Sequence, residues 1–247
     1  FTPSKSIKVM ESHLNEQIKW QSWGIQGILA RGWMWFWMRF SGQSFLGKVS
    51  TRLASWFAPP YYERRRLARY HRRGYIDPNA TIYHRDLQLG NHIFIGDRVI
   101  IYQDKKGGKV KLNDRVHLYG DLCIQTGEEG TVTIDADTHI QPRCQFSAYK
   151  APIKIGSSVQ IGSNCAFYSY NHGIAPNRLI KEQSLETKGG ITISDDVWLG
   201  HGVIVLDGVH IGKGAVIGAG SVVTHSIPEN AIAVGIPARV VKMRHSL

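Results

Sequence analysis

Eleven histidines and three cysteines are the residues of this chain whose side chains could exchange a proton or attack as nucleophiles near neutral pH. Cys123, Cys144 and Cys165 are too few and too odd in number for a disulfide framework, and they recur every 21 residues. That spacing predicts reduced core thiols stacked at equivalent positions of a repeat. His84, His92, His117 and His139 show no spacing that zinc ligands adopt, so no metal is expected. His172 is different: in "FYSYNHGIAPNR", residues 167–178, it stands where a regular pattern in the chain stops. Neutral imidazole, with an unperturbed pKa of about 6.5, is a base poised near physiological pH. No serine or cysteine with a neighbouring histidine is evident, which disfavours a reaction through a covalent intermediate.

Such a base needs a rigid frame. From Ile193 every sixth residue is aliphatic: Ile193, Leu199, Val205, Ile211, Ile217 and Val223. With aliphatics at about one residue in five, six in succession arise by chance in roughly one trial in ten thousand, so the period is real. The same step recurs upstream, for example at Leu112, Leu118 and Ile124, at Ile134, Ile140 and Phe146, and at Ile155, Ile161 and Phe167. Three steps close one triangular turn, whose inward aliphatics stack on those of the next turn while backbone groups pair between turns. Gly200, Gly212 and Gly218 directly follow three of these aliphatics, where a tight corner favours a residue without Cβ. Ile193 follows Phe167 by 26 positions where the step predicts about six. A loop spanning 168–192 therefore leaves the prism here, with His172 at its base.

Residues 76–247, through "YNHG", "DDVWLG" and "GAVIGAGSVVTHSIPENAIAVGIPARVVKMR", resemble the hexapeptide-repeat acyltransferases, among them galactoside and maltose O-acetyltransferases and enzymes that acylate bacterial polysaccharides. The resemblance implies a β fold, a left-handed parallel β-helix, assembled as a homotrimer. It further implies transfer of an acyl group, most often acetyl, from acetyl-CoA or another acyl-CoA to a hydroxyl of a sugar, glycan or glycolipid, with His172 as general base. Coenzyme A would lie between two subunits. By position Gly200 and His201 match the corner beside the thioester, Ala219, Thr224 and His225 the contacts along the cofactor, and Arg239 and Lys242 the basic residues at its nucleotide end. His201 stands where the family usually has Ser or Ala, and His225 where it usually has Lys. Backbone N–H groups near Gly200 would receive the developing oxyanion. Asn171 is assigned to the acceptor side and Trp198 to a packing wall of the site. Asn171, Glu182 and a backbone carbonyl remain open as the group that orients His172. Two competing readings are an N-acyltransferase acting on a nucleotide amino sugar and a non-catalytic β-helix scaffold.

The net charge of +11 is unevenly placed: residues 1–75 hold 13 Lys/Arg against 3 Asp/Glu, whereas residues 76–247 hold 17 against 16. This divides an N-terminal Trp/Arg-rich segment, partly helical, from the acyltransferase domain near Tyr75. Six of the seven tryptophans lie between Trp20 and Trp56, followed by "YYERRRLARYHRRGY" with six arginines. Arg31, Arg39 and several glycines interrupt the apolar stretch, so it does not read as a membrane span. Indoles beside arginines suit an interfacial segment, which points residues 20–73 toward an anionic membrane surface and the protein toward the cytoplasm, peripheral on the inner face of the membrane. The competing expectation is that the tryptophans pack on the main domain or a neighbouring subunit. Arginines without a reading motif give no ground for a nucleic-acid partner.

Overall fold

The computed structural model describes residues 25–59 and 62–244. Residues 1–24 of the N-terminal segment, with Trp20 and Trp23, lie outside the described residues. From Tyr75–Ile76 onward the chain winds through about seven coils, and its short strands stack into three parallel sheets, one per prism face. The apolar residues at six-residue spacing fall into three inward columns. Ile161, Leu199 and Ile217 stack in the first sheet, Phe146, Phe167 and Val205 in the second, and Ile155, Ile193 and Ile211 in the third. All nine are buried in one continuous core. Each fully buried aliphatic contributes about 1.5–3 kcal/mol, and none could be buried without the coil above or below it.

The corners carry a second regularity that the six-residue step does not reveal. At most corners a residue takes the left-handed conformation, and in the early coils most of these are charged, with alternating sign along two of the edges. Arg98 (φ 54°), Asp121 (φ 58°) and Arg143 (φ 63°) share one corner, and Arg115 (φ 56°) and Asp137 (φ 60°) another. Arg98 pairs with Asp121 at 2.6 and 2.9 Å, and Arg115 with Asp137 at 2.7 Å twice, coil to coil. Only in the last coils do Gly202, Gly208, Gly214 and Gly220 take these positions. Gly200, Gly212 and Gly218 serve another purpose than a left-handed turn. A Cβ on Gly200 would stand 2.6 Å from the Ala219 nitrogen of the next coil, so these glycines permit close stacking.

The cysteine expectation needs one correction. Cys144 and Cys165 stack inside and donate to the carbonyls of Gly162 and Gly200, at 3.1 and 3.2 Å. Cys123 pairs instead with Gln145, one place out of step and only half-buried, because the coil between them is one residue longer than the cysteine spacing.

The N-terminal segment forms helices α1 (Ile25–Met38), α2 (Phe45–Ala54) and α3 (Tyr62–Leu67). Ser44 caps α2 by accepting from Gly47 N–H at 3.1 Å. Met38, Ala54 and Leu67 close over Tyr75, Phe94 and Tyr119 on the outer face of the first sheet, and Arg64 reaches the buried Asp77 at 3.1 Å. Packing on the main domain thus accounts for one face of these helices. No helix among the described residues is long and apolar enough to cross a membrane. At the other end, Ala231–Gly235 adds to the first sheet in parallel, and Ala238–Met243 folds back antiparallel beside it.

Candidate active site

The long excursion leaves coil 5 after Ala166–Tyr168 and rejoins it at Ile191–Ile193. It is a built structure. Asn171–His172 pairs antiparallel with Leu185–Glu186, setting His172 opposite Leu185. The Gln183 side chain closes the tip, accepting from Ala175 N–H at 2.8 Å and donating to the Ala175 and Arg178 carbonyls at 3.0 Å. Lys150 donates to the Leu185 carbonyl at 2.7 Å from the coil beneath.

Asp207, 5% exposed, locks the base of this loop. Its carboxylate accepts from Asn171 Nδ2 at 3.4 Å, Thr187 Oγ1 at 3.1 Å, Gly190 N–H at 2.8 Å and Lys188 N–H at 2.5 Å. The Asn171 side chain thus turns toward the clamp. The His172 ring is exposed and meets Tyr170 edge-on at 6.3 Å, and Tyr170 meets Tyr149 at 5.0 Å. Tyr149 donates to Asp104 at 3.0 Å; burial and then that bond push its hydroxyl well above the usual phenol range. Backbone N–H of Lys105, then Tyr149, hold the Asp104 carboxyl below its usual range. An exposed imidazole thus stands at one end of a row that runs through two aromatic rings to the Asp104 carboxylate.

The expected site residues occupy two edges of the prism. His172 lies at the edge between the second and third sheets, and Thr224 and His225, hydrogen-bonded at 2.8 Å, stand on the same edge in coil 7. Gly200, His201 and Ala219 lie at the edge between the first and second sheets. Trp198 stands on the outer face of the first sheet, in register with Gln160 and Val216. Arg239 and Lys242 belong to the terminal antiparallel strand, opposite Val234 and Ile232. Gly200 N–H is already bonded to the Ile217 carbonyl at 2.8 Å, so this group does not await an oxyanion.

Folding also creates a pair that sequence reading did not foresee. Ser163 Oγ lies 3.0 Å from His201 Nδ1, and Asn164 Nδ2 lies 3.3 Å from Nε2 of the same ring. These partners are 38 and 37 residues apart, joined only by coil stacking. Asp207 was equally invisible, since "VLDGVH" reads as an ordinary corner. Among the described residues no group of three His, Cys, Asp or Glu converges to hold a metal ion.

With this geometry in place, the family follows. The profile described as "Bacterial transferase hexapeptide (six repeats)" matches residues 190–225. A galactoside O-acetyltransferase of Lactococcus lactis is 42% identical over 88 residues, covering 36% of this chain and 42% of the relative. A Staphylococcus aureus protein provisionally named an acetyltransferase is 37% identical over 150 residues, 53% of this chain and 70% of the relative. The crystal structure of a hexapeptide-repeat acetyltransferase from Vibrio cholerae shares 31% identity over 45% of this chain and 62% of its own, with a TM-score of 0.41. The chain spans less than half the length of the curated relatives with which it shares over 40% identity. It belongs to the hexapeptide-repeat transferase family.

Proposed function

We propose that the chain is a CoA-dependent O-acyltransferase, most often an acetyltransferase, in which His172 takes the proton from an acceptor hydroxyl as that oxygen attacks the thioester. The carrying observation is the position of His172, exposed on a braced hairpin at the longest break between prism strands among the described residues. Residues 76–247 form the transferase domain, with loop 168–192 as its active-site loop. Acyl-CoA is the co-substrate, held along Gly200, His201, Ala219, Thr224, His225, Arg239 and Lys242. Because the Gly200 and His172 edges are separate in one chain, a neighbouring copy supplies the second edge, which supports a homotrimer. Tyr170, Tyr149 and Asp104 support a sugar, glycan or glycolipid acceptor, with the Asn171 side chain holding the loop through Asp207 rather than meeting it. Residues 20–73 bring the enzyme to an anionic membrane surface where such an acceptor is displayed.

The test is release of free thiol from acetyl-CoA and longer acyl-CoAs, against panels of sugar, glycolipid and amine acceptors. His172→Ala should lower turnover by about 10²- to 10⁴-fold with cofactor affinity retained. Near-normal turnover in that variant would remove His172 from its role, and turnover on amino sugars alone would favour N-acylation.

A further inference from the structure

Helix α2 is built inside out. Its buried side carries the small residues Gly47, Ser50, Thr51 and Ala54, and Gly47 lies so close to Gly42 that a Cβ would stand 2.7 Å from that backbone. Its large apolar residues point away from the protein: Phe45 is 81% exposed, Leu46 75%, and Trp56 just beyond the helix 74%. An amphipathic helix that needed only this protein would present the opposite faces. The outward stripe continues into α1, because Trp33 meets Phe57 edge-on at 6.2 Å and donates its indole N–H to the Leu53 carbonyl at 2.7 Å. Phe36 and Phe40 extend it, with rings 5.4 Å apart. So broad an exposed apolar surface marks an interaction face.

The surrounding charge says what covers it. Residues 25–75 hold ten Lys/Arg and a single acid, Glu63. Lys48 and Arg52 line one edge of the α2 stripe, and Arg39 lies over the Trp35 ring at 4.9 Å on α1. A second copy of this chain would bring the same positive charge and repel it. An anionic bilayer supplies both an apolar layer for the phenyl and indole rings and negative headgroups for the basic rim. We propose that the outward face of the α1–α2 hairpin lies in the headgroup boundary of an anionic membrane, with Phe45, Leu46 and Trp56 inserted. This rests on the membrane reading given above and assigns it to one face.

The experiment is cosedimentation of the full chain with neutral phosphatidylcholine vesicles and with vesicles containing about one-third phosphatidylglycerol. Binding to the anionic vesicles at low salt, weakened as salt rises, is expected. Phe45→Ser with Leu46→Ser should lower partitioning by at least about tenfold, and Lys48→Gln with Arg52→Gln by roughly 25-fold in the anionic arm. Circular dichroism of each variant checks that the fold survives. If the wild type ignores anionic vesicles, both the membrane reading and this face fall. If it binds and the Phe45/Leu46 variant binds equally well, the membrane reading stands and this face is overturned. Loss of oligomer mass in that variant, with vesicle binding intact, overturns the proposal in favour of a protein interface.

Discussion

His172 is exposed, so its placement depends on neighbours rather than on its own burial, and Asp207 is the neighbour with most to lose. Asp207→Asn keeps the volume but exchanges one acceptor oxygen for a donor facing the Lys188 or Gly190 N–H. An unpaired buried N–H costs about 1–3 kcal/mol. Turnover should fall with little change in cofactor affinity, and protease should cut within 168–192 faster than in wild type; equal cleavage would show that the carboxylate does not hold the loop. Ser163 offers a sharper test of mechanism. Under direct transfer, Ser163→Ala retains turnover within a few fold. A loss as deep as that of His172→Ala, with an acyl-enzyme trapped from the wild type and none from the variant, would indicate a relay through Ser163 and His201. The place of His172 on the excursion was legible because it interrupts a pattern. Asp207 and the Ser163–His201 pair were not, because their partners come from other coils and a linear sequence does not mark which corner lies above which.

At the scale of elements, the early coils are harder to read than the late ones for a physical reason. Residues 190–225 repeat without inserts and place glycine at every left-handed corner but that of Asp196, and this is the stretch that the family profile matches. Upstream, inserts change coil length, and Arg, Asp and Lys occupy the same conformation, held by coil-to-coil ion pairs. The seat of the helices on the first sheet was also hidden in the sequence. There His117 stacks on His139 at 4.3 Å, facing Arg65, Arg69, Asp137, Phe94 and Tyr119. Burial, then the charges of His139, Arg65 and Arg69, push the His117 imidazole down to about 3, against the opposing pull of Asp137. Burial and then Arg65 also lower His139. Both groups bind protons more readily in the unfolded chain. Their contribution is therefore complete above about pH 6.5 and is lost as pH falls toward their folded values. Allowing for partial exposure, His117 accounts for about 1 kcal/mol between pH 7.5 and 5. Urea midpoints should drop over that range, and His117→Gln should flatten the drop; parallel profiles for variant and wild type would contradict the assignment.

For the whole molecule, the first strand of the prism is Tyr75–Ile76, next to the point where the positive surplus of the chain ends. Composition left open whether the tryptophans pack or face outward, and the hairpin does both, Trp37 half-buried and Trp35 exposed. The helices sit on coils 1 to 3, while His172 projects from coil 5. With strands about 4.8 Å apart, His172 stands roughly 14 Å along the prism axis from the middle of the hairpin's seat. Light scattering should give three chain masses at micromolar concentration; one chain mass would leave each site with a single edge and remove the shared-groove reading.

A stack of parallel coils has no inherent stopping point, because the last strand offers the same backbone ladder that the strand before it used. The antiparallel strand Ala238–Met243 occupies that ladder on the first sheet and runs the wrong way for another coil to dock in register. It acts as a chain terminator for assembly, in the way that edge strands elsewhere are blunted against end-to-end growth. Deleting residues 236–247 would leave Ala231–Gly235 as a bare parallel edge on a preformed template. The truncated protein should elongate into fibrils with a lag that shortens on seeding, and the intact chain should not be recruited by those seeds.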